Sequence, residues 1–502
     1  MEKIAILKLN PQNIEMNFVD VIRNKSFVVY RQVVMPVNLM KDFYNDNFIK
    51  PAIIKDVKNV LSVYKKMIDA EGITETHCYA GAFLEDAKNN NGFLNEIFAV
   101  TGLQFNILSC EDEINYIYTA VINTFSKPKG LIINISNFNT MFLLYNRRNI
   151  LNTKVLPYGY QNCYEKCLSL KSENPLDQVS DMFYEVIKGD EWILNLPEDY
   201  EIIGCGNMFE NLGVISRKSR KYPVDIAHNY VLDKENFNKV YGVLKAQDVT
   251  KTTKVKGVSM EDSRYLQSAF AIMNAIFSHC NVKNYTISKT GFVEGVLFNN
   301  VIPLTQEKPI SDSLGYSLQV LNEYFDKKPN NTPHVYDIAM ILFKQLKVLH
   351  KLGRSYIKVL RIASYMCNSG YRINAYNNEK ICFNNTLESD IYGVTHGEIV
   401  LAGFVSMLTN ADNFNLSDWV RYKDLVKEDE MVVAKKLAVI LKIAESLDIT
   451  HFGNVVDINC DILGDSVIMK TVVNEPCDLE IKYAMLSANE FKKAFNKNLE
   501  IL

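Results

Sequence analysis

A pattern that occurs twice in roughly the first 300 residues most constrains the fold of this chain: three strands joined by short turns, then alternating helices and strands. The strands of the first copy are Ile4–Leu9, Ile14–Ile22 and Ser26–Val37. The second copy opens at Leu131–Gly159, whose strands Leu131–Ile135, Met141–Tyr145 and Ile150–Leu156 are separated by polar turns. Because the two copies share negligible sequence identity, the repeat is one of topology. We predict two α/β lobes side by side, with their hairpin turns facing each other across a cleft.

Helical periodicity follows each set of hairpins. In the first copy it predicts helices at Ile53–Ala70, Phe93–Val100 and Glu111–Phe125, with strands at His77–Phe83 and Phe105–Leu108. In the second copy it predicts helices at Gln161–Leu168, Leu176–Lys188, Met208–Ile215 and Asp262–Ser278, with strands at Tyr200–Ile203 and Val282–Ser288. Alternation of this kind is typical of α/β folds.

Beyond a linker at Thr305–Asn331, around a short helix at Ser313–Phe325, the chain becomes mainly helical. The predicted helices are Val335–His350, Ile357–Cys367, His396–Leu408 and Val432–Leu447. The tail returns to alternation, with strands at Val455–Ile458, Ser466–Val473 and Leu479–Tyr483 and a helix at Ala488–Phe495. We therefore predict lobes at residues 1–126 and 127–304, a helical domain at 305–448 and a small α+β domain at 449–502.

Composition indicates a soluble, cytoplasmic, multidomain protein. The chain has 502 residues, enough for several domains, and 48% of them are hydrophobic. Its net charge of −3 creates no overall electrostatic attraction to a membrane or to specific nucleic acid. We see no apolar run long enough to span a bilayer and no signal peptide. Ten scattered cysteines without a CxxC pair suit free thiols in a reducing cytosol. Cys163 and Cys167 are better explained as two buried thiols on one helix face than as a metal pair.

Several polar groups have both a chemical and a structural interpretation. The Ser136–Asn139 turn of the second hairpin is either a phosphate cradle or an ordinary connection. Glu111, Asp112 and Glu113 at a predicted helix start either orient a water molecule or complement the helix dipole. Gly204 and Gly206 either admit a phosphate or form a plain strand-to-helix turn.

Basic residues are densest at Arg217–Lys221. Others that could join them in a track for a polyanion are Arg147, Arg148, Lys251, Lys254 and Lys256. The alternative is a solvated surface.

Several stretches together resemble the exopolyphosphatase and guanosine pentaphosphate phosphatase (Ppx/GppA) family, in the same order along the chain. They are CYAGAFLEDAK at Cys78–Lys88, LSCEDEINYIY at Leu108–Tyr118, LPYG at Leu156–Gly159, IGCG at Ile203–Gly206 and GFVEG at Gly291–Gly295. Two more, Leu387–Phe404 and Leu441–Asp448, are similar to the longer members of the family.

The resemblance implies a fold and a chemistry. The fold is two actin-like ATPase lobes, followed in long members by a helical HD-like domain and a short tail, with dimerisation through the C-terminal domains. The chemistry is hydrolysis of a terminal phosphate of polyphosphate or of the 5′-phosphate of a pentaphosphate nucleotide, with a divalent cation such as Mg²⁺. A carboxylate positions the water, and glycine-rich turns and an arginine hold phosphate oxygens.

This chain departs from the family pattern where phosphate and metal would bind. Lys8 replaces the lead carboxylate of the first turn, Glu85 replaces an arginine, and Asn134 replaces a carboxylate of the second turn. Pro11 lacks an N–H, Phe138 stands where glycines would be, and Met141 and Val293 replace a glutamate and an arginine. Cys367 and Asn368 align with the His-Asp pair of the HD domain. His334, Asp448 and His451 remain, too few to predict a dimetal centre.

By the same resemblance, the residues left for chemistry are few. Phosphate contacts would fall to Asn134, Asn137, Asn139, Gly204, Gly206 and Glu294, and catalysis to one of Glu111, Asp112 or Glu113. Our first hypothesis is a degenerate homologue with weak or no hydrolysis that binds polyphosphate, a guanosine polyphosphate or an active paralogue, without a metal site of its own. The second is an active phosphohydrolase that uses Glu111–Glu113 with Mg²⁺. The third is a homodimeric scaffold that binds no phosphate.

Overall fold

The structure is a computed structural model that describes residues 2–22, 26–41, 43, 46–170, 174–249, 254–302, 310–325, 332–371, 373–410 and 416–502. It forms two compact units, Met1–Ser311 and Asp312–Leu502. Residues 23–25 between the predicted second and third strands, Lys251 of the basic set, and residues 305–309 and 326–331 of the linker lie outside the described residues. Across the described ranges, no helix has both the length and the apolarity to cross a membrane.

The first lobe is a five-stranded sheet with helices, and most residues of its central strand are buried. The strands are β1 (Glu2–Leu9), β2 (Asn13–Val21), β3 (Phe27–Pro36), β4 (Glu75–Ala80) and β5 (Phe105–Ile107), in the order β3-β2-β1-β4-β5. The hairpin strands pair antiparallel, whereas β4 and β5 run parallel to β1. The helices are α1 (Pro51–Ala70), α2 (Asn90–Thr101) and α3 (Cys110–Thr124). Gly102 ends α2 in the left-handed region, at φ 70°, where glycine is favoured.

The second lobe repeats this topology. Its strands are β6 (Lys129–Ile135), β7 (Thr140–Asn146), β8 (Asn149–Leu156), β9 (Glu201–Cys205), β10 (Tyr230–Asp233) and β11 (Asn284–Ile287), in the order β10-β11-β9-β6-β7-β8. The run β8-β7-β6-β9-β11 matches β3-β2-β1-β4-β5 of the first lobe. Its helices are α4 (Tyr160–Ser169), α5 (Pro175–Ile187), α6 (Glu191–Leu194), α7 (Asn207–Ser219), α8 (Lys234–Lys245), α9 (Met260–His279) and α10 (Phe292–Asn300). The apolar face of α9 lies in the core of this lobe.

The second unit is helical and ends in a small sheet. Its helices are α11 (Ser313–Phe325), α12 (Thr332–Gln345), α13 (Lys347–His350), α14 (Tyr356–Met366), α15 (Asn378–Glu388), α16 (His396–Asn410), α17 (Leu416–Val420), α18 (Glu428–Ser446), α19 (Asp478–Met485) and α20 (Ala488–Phe495). The strands β12 (Val455–Ile462), β13 (Ser466–Val473) and β14 (Asn498–Ile501) pair in that order. Every residue of α16 from Ile399 to Met407 is buried, so this helix lies at the centre of the unit.

The hairpins and the long helices are confirmed, and the errors fall on short elements. Leu479–Tyr483, predicted as a strand, lies in α19. Its buried residues Glu480 and Ala484 are four apart, which is helical spacing. The strand predicted at His77–Phe83 ends at Ala80, where a single 3₁₀ turn begins. The helix predicted at Val335–His350 is interrupted at Leu346. The sequence did not predict β10, β14, α6, α8, α10, α15 or α17.

Candidate functional site

The hairpin turns of the two lobes meet through a network of buried amides. Gln12, in the turn after β1, donates from Nε2 to Gln161 Oε1 at 2.8 Å and to the Tyr265 hydroxyl at 3.0 Å. Asn137 donates to the same Gln161 oxygen at 3.4 Å and accepts from the Tyr160 hydroxyl at 2.8 Å. Burial raises the pKa of Tyr160, which keeps this hydroxyl a donor. Protein groups therefore satisfy each other where the resemblance places phosphate.

The Ser136–Asn139 turn is held by the first turn of α4. The backbone N–H groups of Tyr160 and Gln161 donate to the carbonyls of Ser136 and Asn137, at 3.0 and 2.9 Å. A β-carbon on Gly159 would lie 2.4 Å from backbone atoms of the turn, so only glycine permits this packing. Helix-start N–H groups bind anions when they are available. These two are already occupied by carbonyl oxygens.

Phe138 and Asn139 extend the turn of the second lobe towards the first. The Phe138 ring packs against the core of the first lobe. The amide of Asn139 lies 3.3 Å from Cys110 Sγ at the start of α3. The ring and the amide network thus tie the lobes together at the place where we predicted a ligand cleft.

A cation of the chain itself lies beside one of the predicted catalytic carboxylates. Lys8 Nζ is 2.6 Å from Glu113 Oε1, and Lys8 is only 9% exposed. The same ammonium lies 4.2 Å from the centre of the Phe292 ring, a favourable cation–π distance. Glu113 is therefore held in an ion pair, so its carboxylate is not free to act as a general base.

The other two carboxylates of this group have different surroundings. Asp112 and Ser109 form a capping box at the start of α3, with the Asp112 N–H 3.0 Å from Ser109 Oγ. Glu111 is exposed on the first turn. Nearby, burial, Glu113 and Glu85 together raise the pKa of Cys110 to about 11, so it is a neutral thiol. Glu85 and Glu113 thus both lie within electrostatic range of Cys110 and add negative charge around this thiol.

Asn134, Gly204 and Gly206 come together at the ends of β6 and β9. Asn134 is buried, and a β-carbon on Gly206 would lie 2.5 Å from its Oδ1. Gly206 also has φ 89°, which favours glycine at the start of α7. A β-carbon on Gly204 would fall 2.1 Å from the Phe209 ring. Both glycines have a packing reason that requires no ligand.

Glu294 and Gly295 have structural contacts as well. Glu294 Oε2 accepts the Gly291 N–H at 2.8 Å at the start of α10. A β-carbon on Gly295 would lie 1.9 Å from the Tyr116 carbonyl oxygen, so this glycine lets α10 pack closely on α3. Glu210, which the sequence did not single out, lies within range of Glu294. Burial first, and Glu294 second, raise the pKa of Glu210 to about 7.

The basic residues do not form one exposed track. Arg217 is 5% exposed and its guanidinium donates to Asp225 at 3.1 and 3.2 Å. Lys218 Nζ contacts the Lys256 carbonyl at 3.4 Å. Arg147 and Arg148 are exposed in the turn between β7 and β8. The run at Arg217–Lys221 therefore loses its first cation to an internal ion pair.

The donor set does not fit a divalent cation. In the described parts of both units, no three His, Cys, Asp or Glu side chains are grouped to hold a metal ion. At the site itself the ammonium of Lys8 and the neutral amide of Asn134 stand where the resemblance places carboxylates. An ammonium repels a metal ion, and an amide is a weaker ligand than a carboxylate.

Gln12, Tyr160, Gln161 and Tyr265 belong to the site but gave no signal in the sequence. Gln12 is 149 residues from Gln161 and 253 residues from Tyr265. Only the packing of the two lobes brings them together.

Comparison with known proteins gives the family of this chain. A family model described as the Ppx/GppA phosphatase family matches residues 19–302. The chain is 28% identical over 135 residues to the bifunctional 3-dehydroquinate synthase/phosphatase of Fusobacterium nucleatum, over 26% of this chain and 20% of that protein. It is 21% identical over 271 residues to retrograde regulation protein 2 of Saccharomyces cerevisiae, over 49% of this chain and 45% of that protein. The chain thus spans less than half of each curated relative.

Solved structures show the fold. A Ppx/GppA family member of Aquifex aeolicus superposes with a TM-score of 0.53 at 19% identity, covering 61% of this chain and 99% of that one. An exopolyphosphatase from Cytophaga hutchinsonii superposes with a TM-score of 0.54 at 16% identity, covering 60% and 98%. With the repeated sheet topology, this confirms the predicted fold class: two actin-like ATPase lobes, then a helical region and a small α+β tail. The HD-like character of the helical region stays a prediction.

Proposed function

This chain belongs to the Ppx/GppA phosphatase family, and we propose that it is a regulatory member with weak or no hydrolytic activity that acts by binding a partner protein. One observation carries the proposal: Lys8 Nζ lies 2.6 Å from Glu113 Oε1 in a nearly buried ion pair. In this pair the Lys8 ammonium neutralises the Glu113 carboxylate, which points towards the first hairpin turn.

Phosphoryl transfer to water depends on preorganised positive charge at the phosphate and on an unengaged base. In this chain the ammonium and the carboxylate neutralise each other, and Glu85 adds a negative charge within electrostatic range of Cys110. Removal of one electrostatic donor typically costs about 10²–10³ in rate. Several departures at once leave little hydrolysis to expect.

The motif glycines that survive are those that the fold needs. Gly159, Gly204, Gly206 and Gly295 each lie where a β-carbon would collide with the backbone or a neighbouring side chain. The positions that differ from the family pattern are those that only chemistry needs, including Lys8, Glu85 and Asn134. This division supports a scaffold that has kept its packing while the charges that would hold phosphate and metal have changed.

The same contacts argue against polyphosphate or a guanosine polyphosphate at this site. Gln12, Gln161 and Asn137 use their amides on each other, and Phe138 packs into the first lobe. A partner protein, an active paralogue or a second copy of the chain, is the better candidate. The yeast relative carries the name of a regulation protein, which is compatible with such a role. All ten cysteines are free thiols, which supports a reducing, cytoplasmic location.

The test is phosphate release from long-chain polyphosphate and from pppGpp, with Mg²⁺ present. We expect no release above background from the full chain, while the Cytophaga hutchinsonii exopolyphosphatase serves as the positive control for polyphosphate. Alanine variants of Glu111, Asp112 and Glu113 should leave this background unchanged, as should the control Glu500→Ala on the exposed face of β14. Release that disappears in one of the three variants and persists in the control would establish an enzyme and defeat the proposal.

A second measurement concerns ligand binding. Titration of the full chain with polyphosphate or pppGpp at low salt should show no saturable binding that depends on the hairpin turns. Saturable binding that Gln12→Ala or Asn137→Ala alters would mean that the site has remained a phosphate receptor.

A further inference from the structure

A cavity in the second unit lies away from the hairpin turns that the family resemblance assigns to phosphate. Its volume is about 710 Å³, within the range of small-molecule sites. It lies among α11, α12, α14, α18 and the start of α20, and aliphatic, aromatic and polar side chains all line it. The family resemblance assigns it no role, because the residues aligned with the HD pair are Cys367 and Asn368.

Glu445 is the central charged group of this cavity. Its carboxylate accepts from Cys367 Sγ at 2.9 Å and from Asn368 Nδ2 at 2.7 Å. Both bonds end on Oε1, which leaves Oε2 for a donor in the cavity. Burial raises the pKa of Glu445, since the surrounding protein disfavours its charge. In the described part of this unit, Glu445 has no ion pair of its own.

The charge of the lining favours a cation. Lys442 faces two carboxylates, Glu445 and Glu490, and its Nζ lies 3.4 Å from Glu490 Oε1. The lining is therefore net negative when histidine is neutral. An anion such as phosphate would meet two carboxylates and a lysine that is already paired.

The remaining walls suit a short aliphatic chain that ends in amines. Tyr365, Tyr371 and Tyr483 line the cavity, and aromatic rings attract ammonium groups. Leu321, Val335 and Ile449 offer apolar surface. Ser487 is fully buried at the same wall, and within the described chain its hydroxyl has no hydrogen-bond partner.

We propose that this cavity binds a small aliphatic amine, with the Glu445 carboxylate as the counter-ion of its ammonium group. Glu490, the second carboxylate of the wall, takes the other end of a diamine. This proposal does not depend on the hairpin turns or on any phosphate chemistry there.

The test is calorimetric titration of the full chain with putrescine, with 1,4-butanediol as the uncharged analogue of the same length. Putrescine should bind saturably at millimolar concentration or below, and the diol should bind at least about tenfold more weakly, because it lacks the charge that pairs with Glu445. Glu445→Gln should weaken putrescine binding about tenfold or more. Lys442→Gln should strengthen it several-fold, because it removes the competing cation. Glu500→Gln, an exposed carboxylate outside the cavity, should change nothing.

Glu445→Gln should weaken putrescine binding and Lys442→Gln should strengthen it. Misfolding would weaken binding in both variants, so opposite changes in affinity separate a binding effect from a folding effect. Circular dichroism of each variant checks the fold. Equal binding of the diol and the diamine, saturable binding of inorganic phosphate, or absence of putrescine binding up to about 10 mM would overturn the proposal. Weakening by both variants would overturn it as well, because the lining charge would then not determine affinity.

Discussion

The Lys8–Glu113 ion pair can be measured by a double-mutant cycle of Lys8→Met, Glu113→Gln and the double variant. The atoms are 2.6 Å apart, and the side chains are 11% and 14% exposed. At this distance the attraction is about 6 kcal/mol at an effective dielectric constant of about 20, and about 1.6 kcal/mol in water. Desolvation of both charges opposes this gain. We expect a net coupling of about 2–3 kcal/mol, between the exposed and the fully buried limits.

The two single variants should differ. Lys8→Met leaves the largely buried Glu113 carboxylate without its cation, and we expect a loss of about 3–4 kcal/mol. Glu113→Gln leaves the ammonium over the Phe292 ring, 4.2 Å away, which offsets part of the penalty. That loss should be about 2 kcal/mol. The double variant should cost less than the sum of the two.

Hydrogen exchange of β1 and α3 amides in the full chain gives the opening free energy locally, without assuming that the whole protein unfolds in one step. The control is the exposed pair Lys239–Glu235 on α8, whose side chains are 69% and 78% exposed. Its cycle should give less than about 0.5 kcal/mol. If the Lys8–Glu113 coupling is no larger than that of the control, the pair does not hold Glu113, and the main argument for lost activity fails.

Other predictions concern packing and pH. Gly295→Ala should lower the melting temperature of the first unit by several degrees, because its β-carbon would lie 1.9 Å from the Tyr116 oxygen. Gly242→Ala, in open space on α8, should leave the melting temperature equal or slightly higher. A fall in both or in neither would refute the assigned contact. Glu210 has a folded pKa raised from 4.5 to about 7, so its contribution to stability is complete below pH 4.5 and is lost as pH rises through 7. Glu210→Gln should flatten this part of the stability–pH curve and stabilise the unit above pH 7; an unchanged curve would contradict the burial of Glu210.

Much of the fold follows from patterns within a few residues. The hairpin strands of both lobes and long helices such as α1 and α9 have the predicted periods and nearly the predicted ends. Leu479–Tyr483 shows the limit, because a short alternating run fits a strand and one helix turn equally well, and tertiary burial of Glu480 and Ala484 decided the outcome. The short elements β10 and β14 carry too few residues for a period to show.

The candidate site was predictable in part. The sequence located the turns and showed which charges differ from the family pattern, including Lys8 and Asn134. It left the role of Glu111, Asp112 and Glu113 open, because one residue type serves as base, helix cap or ion-pair partner. Only their positions on the first turn of α3 separate the three, with Asp112 capping the helix and Glu113 directed to β1.

By itself the sequence determined the repeated lobes and the helical second half, and it placed Lys8, Glu85 and Asn134 at the motif positions, because these depend on residue type and local spacing. Only the tertiary structure decided what the residues at those positions contact. Lys8 and Glu113 are 105 residues apart, and Gln12 and Tyr265 are 253 apart, so no local pattern links them. Their contacts exist because the cores of the two lobes bring the strand ends together. The hairpin turns that would cradle a phosphate are occupied by each other's side chains.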